Sequence, residues 1–157
     1  MKNFFRALFG GLLTILGFGS CHGIDNGGMV CMYGQPHADF TVKGTVTDEA
    51  GEPVKGIKTV VDAYYKWTDH AGINYSQLDY SDTLYTDDNG QILRKATTFS
   101  KPGEIVVTLI DVDGEENGGE FEEQVINNLE AKQVKNSDGW YTGGYETEFK
   151  ATLKKKN

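Results

Sequence analysis

Apolar and polar residues alternate with a period of two along much of the chain from residue 40 onward. In the first such segment Phe40, Val42 and Val46 fall on one face, while threonines and a lysine fall on the other. This is the pattern of a half-buried β-strand. Gly51 and Pro53 then supply the turn chemistry that ends the segment. Further strands, each bounded by Gly, Asp, Asn or Pro, are predicted at residues 57–66, 83–86, 92–98, 104–111, 121–125 and 145–153.

A helical period is almost absent from the same part of the chain. The best candidate is residues 126–134, and its pattern is weak. About seven short strands separated by polar turns are typical of an antiparallel sandwich. The sequence therefore predicts an all-β fold, an immunoglobulin-like β-sandwich.

The pattern of the first twenty-one residues is different. Lys2 and Arg6 precede an apolar run over residues 7–18, and small residues then lead to Cys21. A basic segment, a short apolar segment and small residues before a cleavage point form a secretory signal. The apolar run is shorter than the roughly 20 residues that a membrane span requires. We therefore expect residues 1–20 to be a cleaved signal peptide.

Cys21 directly follows the small residues, which places its thiol where a lipid can be attached. We expect Cys21 to be the lipid-attachment residue and the mature N-terminus. The alternative is an ordinary secreted protein in which Cys21 pairs with Cys31; in the lipidated protein Cys31 is a free thiol, either buried or reactive. The glycine-rich residues 21–38 predict a flexible tether, followed by a single domain over residues 39–157.

The composition limits the partners of this domain. The chain carries 15 basic and 23 acidic residues, a formal net charge of −8. A protein that binds phosphate backbones needs clustered Lys or Arg. We therefore expect no nucleic-acid partner.

Two segments carry a resemblance to a known domain family. Residues 44–57, Gly-Thr-Val-Thr-Asp-Glu-Ala-Gly-Glu-Pro-Val-Lys-Gly-Ile, resemble the opening hairpin of carboxypeptidase-regulatory-like domains. Residues 86–92, Thr-Asp-Asp-Asn-Gly-Gln-Ile, are similar to a turn of the same family. The resemblance implies a transthyretin-like β-sandwich, and both motifs have a mechanical role in turns rather than a catalytic one.

A narrower resemblance covers almost the whole chain. The signal with Cys21, residues 32–40, residues 111–121 and Gly139-Trp140-Tyr141 look like lipoproteins associated with radical-SAM enzymes in Gram-negative bacteria. The resemblance implies an envelope lipoprotein with a functional link to a radical-SAM enzyme.

The acidic loop after the strand at 104–111 is a candidate calcium site. Asp111, Asp113, Glu115 and Asn117 place oxygen ligands at alternate positions, as Ca²⁺ prefers. The loop is not an EF-hand, because Glu116 stands where that loop requires a glycine. The alternative is a solvated hairpin whose charges prevent edge-to-edge pairing of sheets.

The sequence lacks the motifs of several hydrolases. It contains neither a G-x-S-x-G elbow nor an H-E-x-x-H zinc pair. Its three histidines do not form a recognisable cluster. We therefore expect a protein that is not an enzyme and has no cofactor apart from the candidate calcium ion.

Aromatic residues are concentrated in two regions, which is typical either of strands that fill a core or of platforms that stack on sugars or peptides. Trp140 and Tyr141, in a glycine-rich context, are the candidate ligand-binding residues. The first region contains Tyr64, Tyr65, Trp67, Tyr75, Tyr80 and Tyr85.

Together these observations predict a non-enzymatic binding or accessory module, lipid-anchored in the bacterial envelope. We expect it at the outer membrane, facing the periplasm or the cell surface. Its expected partners are the membrane, through the lipid, and an envelope protein or a radical-SAM enzyme. The alternative function is that of a substrate or companion of a radical-SAM maturation enzyme.

Overall fold

A computed structural model describes residues 35–156, which form a β-sandwich. The predicted all-β class is confirmed, with eight strands in place of about seven. The strands are β1 (His37–Asp48), β2 (Lys58–Thr68), β3 (Asn74–Tyr85), β4 (Gln91–Thr98), β5 (Glu104–Ile110), β6 (Gln124–Leu129), β7 (Lys132–Lys135) and β8 (Tyr141–Leu153).

The strands are divided equally between two sheets. The first sheet has the order β4-β1-β8-β7 and the second has the order β3-β2-β5-β6. Neighbouring strands are antiparallel except β1 and β8, which run parallel. The chain passes repeatedly from one sheet to the other, so both sheets depend on residues that are distant in sequence.

The core lies between the facing sides of the two sheets. The period-two expectation for β1 is confirmed, because Phe40, Val42 and Val46 are all fully buried. The second sheet contributes alternate residues in the same way, and its central strand β5 buries Ile105, Val107 and Leu109. Such interdigitating apolar side chains are the main source of stability in a sandwich.

The strand boundaries differ from the predicted ones at several places. β6 spans Gln124–Leu129 in place of 121–125, and β8 begins at Tyr141 in place of residue 145. β1 begins at His37 and buries Ala38, so the sandwich begins two residues before the predicted boundary at 39. β3 begins at Asn74, nine residues before the predicted strand at 83. Residues 126–134, the weak helix candidate, are part of β6 and β7 instead.

The predicted signal peptide, Cys21, Cys31 and the tether as far as residue 34 lie outside the described residues. Within residues 35–156, no helix has the length and apolar character that a membrane span requires.

Candidate functional site

The β2–β3 hairpin extends beyond the rest of its sheet. β2 pairs with β5 only as far as Tyr64, opposite Glu104, whereas its pairing with β3 continues to Thr68. The last residues of β2 therefore belong to a two-stranded ribbon. Side chains that continue the core face of β2 have no facing sheet to cover them at this end.

Three aromatic side chains on this overhanging ribbon form a stack, which we call the aromatic row: Tyr65, Trp67 and Tyr75. Tyr65 and Trp67 follow Ala63 at two-residue steps on β2, and Trp67 lies directly opposite Tyr75 of β3. Ala63 is fully buried, but the three rings are 41, 37 and 41% exposed. A face that is core along most of β2 thus becomes an exposed aromatic surface.

The rings of the aromatic row are ordered against one another. The centroids of Tyr65 and Trp67 are 5.3 Å apart with planes inclined by 19°, and those of Trp67 and Tyr75 are 5.2 Å apart with planes inclined by 14°. Stacked aromatic pairs stabilise each other by about 0.5–1.5 kcal/mol beyond area burial. Mutual stacking therefore restricts the rotamers of exposed rings before any ligand arrives.

Asp69 holds the tip of the ribbon. Its carboxylate accepts hydrogen bonds from the backbone N–H groups of Ala71 and Ile73 and from the Tyr75 hydroxyl, at 2.8, 2.9 and 3.0 Å. The backbone hydrogen bond from Ile73 is the largest of the effects that lower the pKa of Asp69. The turn residue thus also positions the outermost ring of the aromatic row.

A cleft of about 370 Å³ lies at the Tyr65 end of the aromatic row. Its apolar walls include the exposed Phe99 of the β4–β5 loop. The Asp79 carboxylate accepts a hydrogen bond from the Phe99 N–H, at 3.1 Å to Oδ2, and so ties β3 to that loop. The residues that line the cleft are Pro36, Tyr65, Gln77, Leu78, Asp79, Phe99 and Ser100.

Asp79 is available for this contact because β3 has a bulge. Ala63 pairs with Tyr80 and Tyr64 pairs with Leu78, so Asp79 has no partner on β2. A bulge leaves one residue outside the ladder and redirects its side chain. In this hairpin the extra residue connects the two walls of the cleft.

The predicted calcium loop is organised by backbone hydrogen bonds. Asp111 Oδ1 accepts from the N–H groups of Asp113 and Gly114, and Oδ2 accepts from the N–H of Phe121 at 2.8 Å. Burial raises the pKa of Asp111, but these hydrogen bonds outweigh it and the net direction is downward. The Asn117 amide donates to Asp113 Oδ2.

No three acidic, histidine or cysteine side chains within residues 35–156 are grouped so as to hold a metal ion. Asp111, Asp113 and Glu115 are not grouped in this way, and the calcium site stays a prediction. Asp111 acts instead as the acceptor that closes the loop, because both of its oxygens already face backbone donors.

The predicted ligand-binding pair Trp140 and Tyr141 lies in the turn before β8 and at its first residue. The Tyr141 hydroxyl donates to Asp39 Oδ2 at 3.0 Å, and Lys135 Nζ lies 2.8 Å from the same oxygen. The hydrogen bonds from Lys135 and then Tyr141 lower the pKa of Asp39. Tyr141 is thus part of a cross-strand polar cluster, whereas Trp140 is 38% exposed.

The sequence identified the aromatic regions but not the site. Tyr80 is partly buried against the core, with its ring edge-on to Phe40, while the aromatic row is exposed. The alternation of residues along β2 does not distinguish aromatic side chains that will be buried from those that will be exposed. Gln77 and Phe99 were not singled out, because polar strand residues and lone aromatic loop residues have no distinctive spacing.

Comparisons with known proteins give no family. No protein-family model matches the chain, and no curated protein matches it. The resemblance to carboxypeptidase-regulatory-like domains and to radical-SAM-associated lipoproteins therefore stays a prediction.

Solved structures with a similar arrangement include dioxygenases. One is 3-chlorocatechol 1,2-dioxygenase from Rhodococcus opacus, with 14% identity, a TM-score of 0.48, and coverage of 75% of this chain and 60% of that one. A second is catechol 1,2-dioxygenase from Acinetobacter radioresistens, with 15% identity, a TM-score of 0.49, and coverage of 76% and 52%. A third is hydroxyquinol 1,2-dioxygenase from Pseudomonas putida, with 11% identity, a TM-score of 0.42, and coverage of 92% and 71%.

These comparisons contradict the prediction that the protein is not an enzyme, because the matching chains are enzymes. The prediction depended on missing sequence motifs, and such motifs represent only a few of the chemistries that a β-sandwich can support. The chain spans about half to three-fifths of the length of the first two of these relatives. At this identity the likeness concerns the fold alone and assigns neither substrate nor reaction.

Proposed function

We propose that this chain is a lipid-anchored protein of the bacterial envelope that binds a ligand at the cleft beside the aromatic row. Ligand binding is inferred from the exposure of Tyr65, Trp67 and Tyr75. These side chains continue the face of the β2–β3 hairpin that is buried in the core farther along β2. Exposed apolar surface costs roughly 25 cal/mol per Å² relative to burial. Contiguous exposed apolar patches are therefore characteristic of binding surfaces.

The shape of the site supports the same proposal. The cleft has walls on two different elements, the β2–β3 hairpin and the β4–β5 loop, and the Asp79 to Phe99 hydrogen bond joins them. Its volume of about 370 Å³ falls within the roughly 300–1,000 Å³ of small-molecule sites. Pro36, the residue before β1, also lines it.

In-cell photo-crosslinking tests the binding site. A benzophenone amino acid at Gln77, which lies opposite Tyr65, should give an adduct in growing cells, and Trp67→Ala should reduce its yield. The same probe at Thr152, on the exposed side of β8, is the control. Equal adduct yields at the two positions would contradict the proposal.

The lipid anchor at Cys21 is inferred from the sequence alone, and a separate experiment tests it. Cys21→Ser should move the protein from the detergent phase to the aqueous phase of cell extracts, because the acyl chains are lost. Cys31→Ser is the matched control and should leave the partitioning unchanged. Membrane association of Cys21→Ser at the native level would overturn the anchor.

A further inference from the structure

We propose that the ligand of the cleft is a neutral carbohydrate, with a sugar ring seated between Tyr65 and Phe99. This inference rests on the proposed function and names the ligand class for the same site. It follows from three properties of the cleft: which aromatic faces are free, which charged groups are already engaged, and which polar groups remain.

The aromatic row leaves particular ring faces free. Trp67 stacks on Tyr65 on one side and on Tyr75 on the other, so neighbouring rings occupy its faces. Tyr65 ends the row and lines the cleft, which Phe99 and Leu78 also line. A sugar ring presents C–H groups on its face, and these carry the partial positive charge that an electron-rich aromatic face attracts.

The charged residue that lines the cleft, Asp79, and two charged residues of the adjoining ribbon are engaged with the protein. Asp79 accepts the Phe99 N–H, and Asp69 accepts two backbone N–H groups and the Tyr75 hydroxyl. Lys66, on the ribbon, forms an ion pair with Glu104 at 2.7 Å. The chain as a whole is acidic, with a net charge of −8, which disfavours an anionic ligand. A neutral ligand fits these conditions best.

Two uncharged polar groups remain at the cleft. The Gln77 amide is exposed beside Tyr65, and it offers both a donor and an acceptor. The Ser100 hydroxyl oxygen is buried and has no hydrogen-bond partner among residues 35–156. A purely aliphatic ligand would cover the Gln77 amide without pairing it, and an amide left unpaired on burial costs about 1–3 kcal/mol. A hydroxyl-rich ring with an apolar face can pair with the Gln77 amide while it stacks on Tyr65.

Tryptophan fluorescence provides the test. The chain has two tryptophans, Trp67 and Trp140, so Trp140→Phe leaves Trp67 as the only one. Because Trp67 stacks on Tyr65, a ligand on Tyr65 should change its emission. We expect saturable changes on titration with cellotetraose or tetra-N-acetylchitotetraose, both neutral tetrasaccharides.

Substitutions in the same background locate the binding. Phe99→Ala should weaken it about tenfold, equivalent to about 1.4 kcal/mol, and Phe99 is exposed enough for the variant to fold. Tyr75→Ala, at the far end of the row from the cleft, should change the affinity less than Phe99→Ala does. Absence of saturable binding by both sugars, or equal binding by the Phe99→Ala variant, would overturn the carbohydrate assignment. If Gln77 still crosslinks in cells, the ligand site itself stands, and only the ligand class is wrong.

Discussion

The carboxylate of Asp111 closes the loop between β5 and β6 by accepting backbone N–H groups on both oxygens. One of the donors belongs to Phe121, whose side chain is buried in the core. The sequence led to a calcium prediction because acidic residues at alternate positions suit both a metal site and a turn. The two differ only in where the oxygens point, which spacing does not determine.

Replacing Asp111 with Ala should destabilise the protein by about 1–3 kcal/mol, because a buried N–H group loses its acceptor. Asp113→Ala is the control and should cost less, since its exposed carboxylate accepts from the Asn117 side chain. Urea unfolding at pH 7 measures both. Equal losses in the two variants would contradict this role of Asp111.

The pH dependence of that loss follows from the lowered pKa of Asp111. A carboxyl group with a lowered folded-state pKa stabilises the fold above its unfolded pKa of about 3.9, and this stabilisation disappears as the pH falls through the folded pKa. The difference between wild type and Asp111→Ala should therefore shrink below about pH 4. Adding calcium to the same measurements tests the metal prediction, because an ion held only by the folded protein raises its stability.

At the scale of elements, the sequence predicted strands wherever one face is buried. β1 and β5 alternate regularly between buried and partly exposed residues, and the sequence predicted both strands close to their observed bounds. Most of β3 and all of β7 are not buried, so their sequences show no period. The overhang of β2 was also unpredictable, because its alternation continues after the neighbouring strand β5 has ended.

The bulge at Asp79 should control the mobility of the cleft wall. Asp79→Ala removes the acceptor of the Phe99 N–H, so this amide should exchange with solvent at least about tenfold faster, a change that corresponds to about 1.4 kcal/mol of local protection. The neighbouring N–H of Ile105, within the ladder of β5, should keep its exchange rate and serves as the internal control. Unchanged exchange at Phe99 would show that the hydrogen bond does not hold the loop.

At the scale of the whole molecule, the fold class was predictable because turn residues and alternation agree along the chain. Gly51 and Gly90, which the sequence placed in turns, both have positive φ, at 85° and 65°. The exposed cleft was not predictable, since it depends on the relative lengths of paired strands in space. The sandwich thus provides the stability, and the overhanging ribbon carries the surface that we propose for binding.

The most direct test of this division is the free energy of unfolding of Trp67→Ala compared with that of Phe40→Ala, measured by urea denaturation. Phe40 is fully buried between the sheets, so its truncation should cost about 3–5 kcal/mol. Trp67 loses mainly its stacking on two neighbouring rings, so its truncation should cost about 1–2 kcal/mol. A Trp67→Ala protein as unstable as Phe40→Ala would show that the aromatic row belongs to the core and would contradict the account.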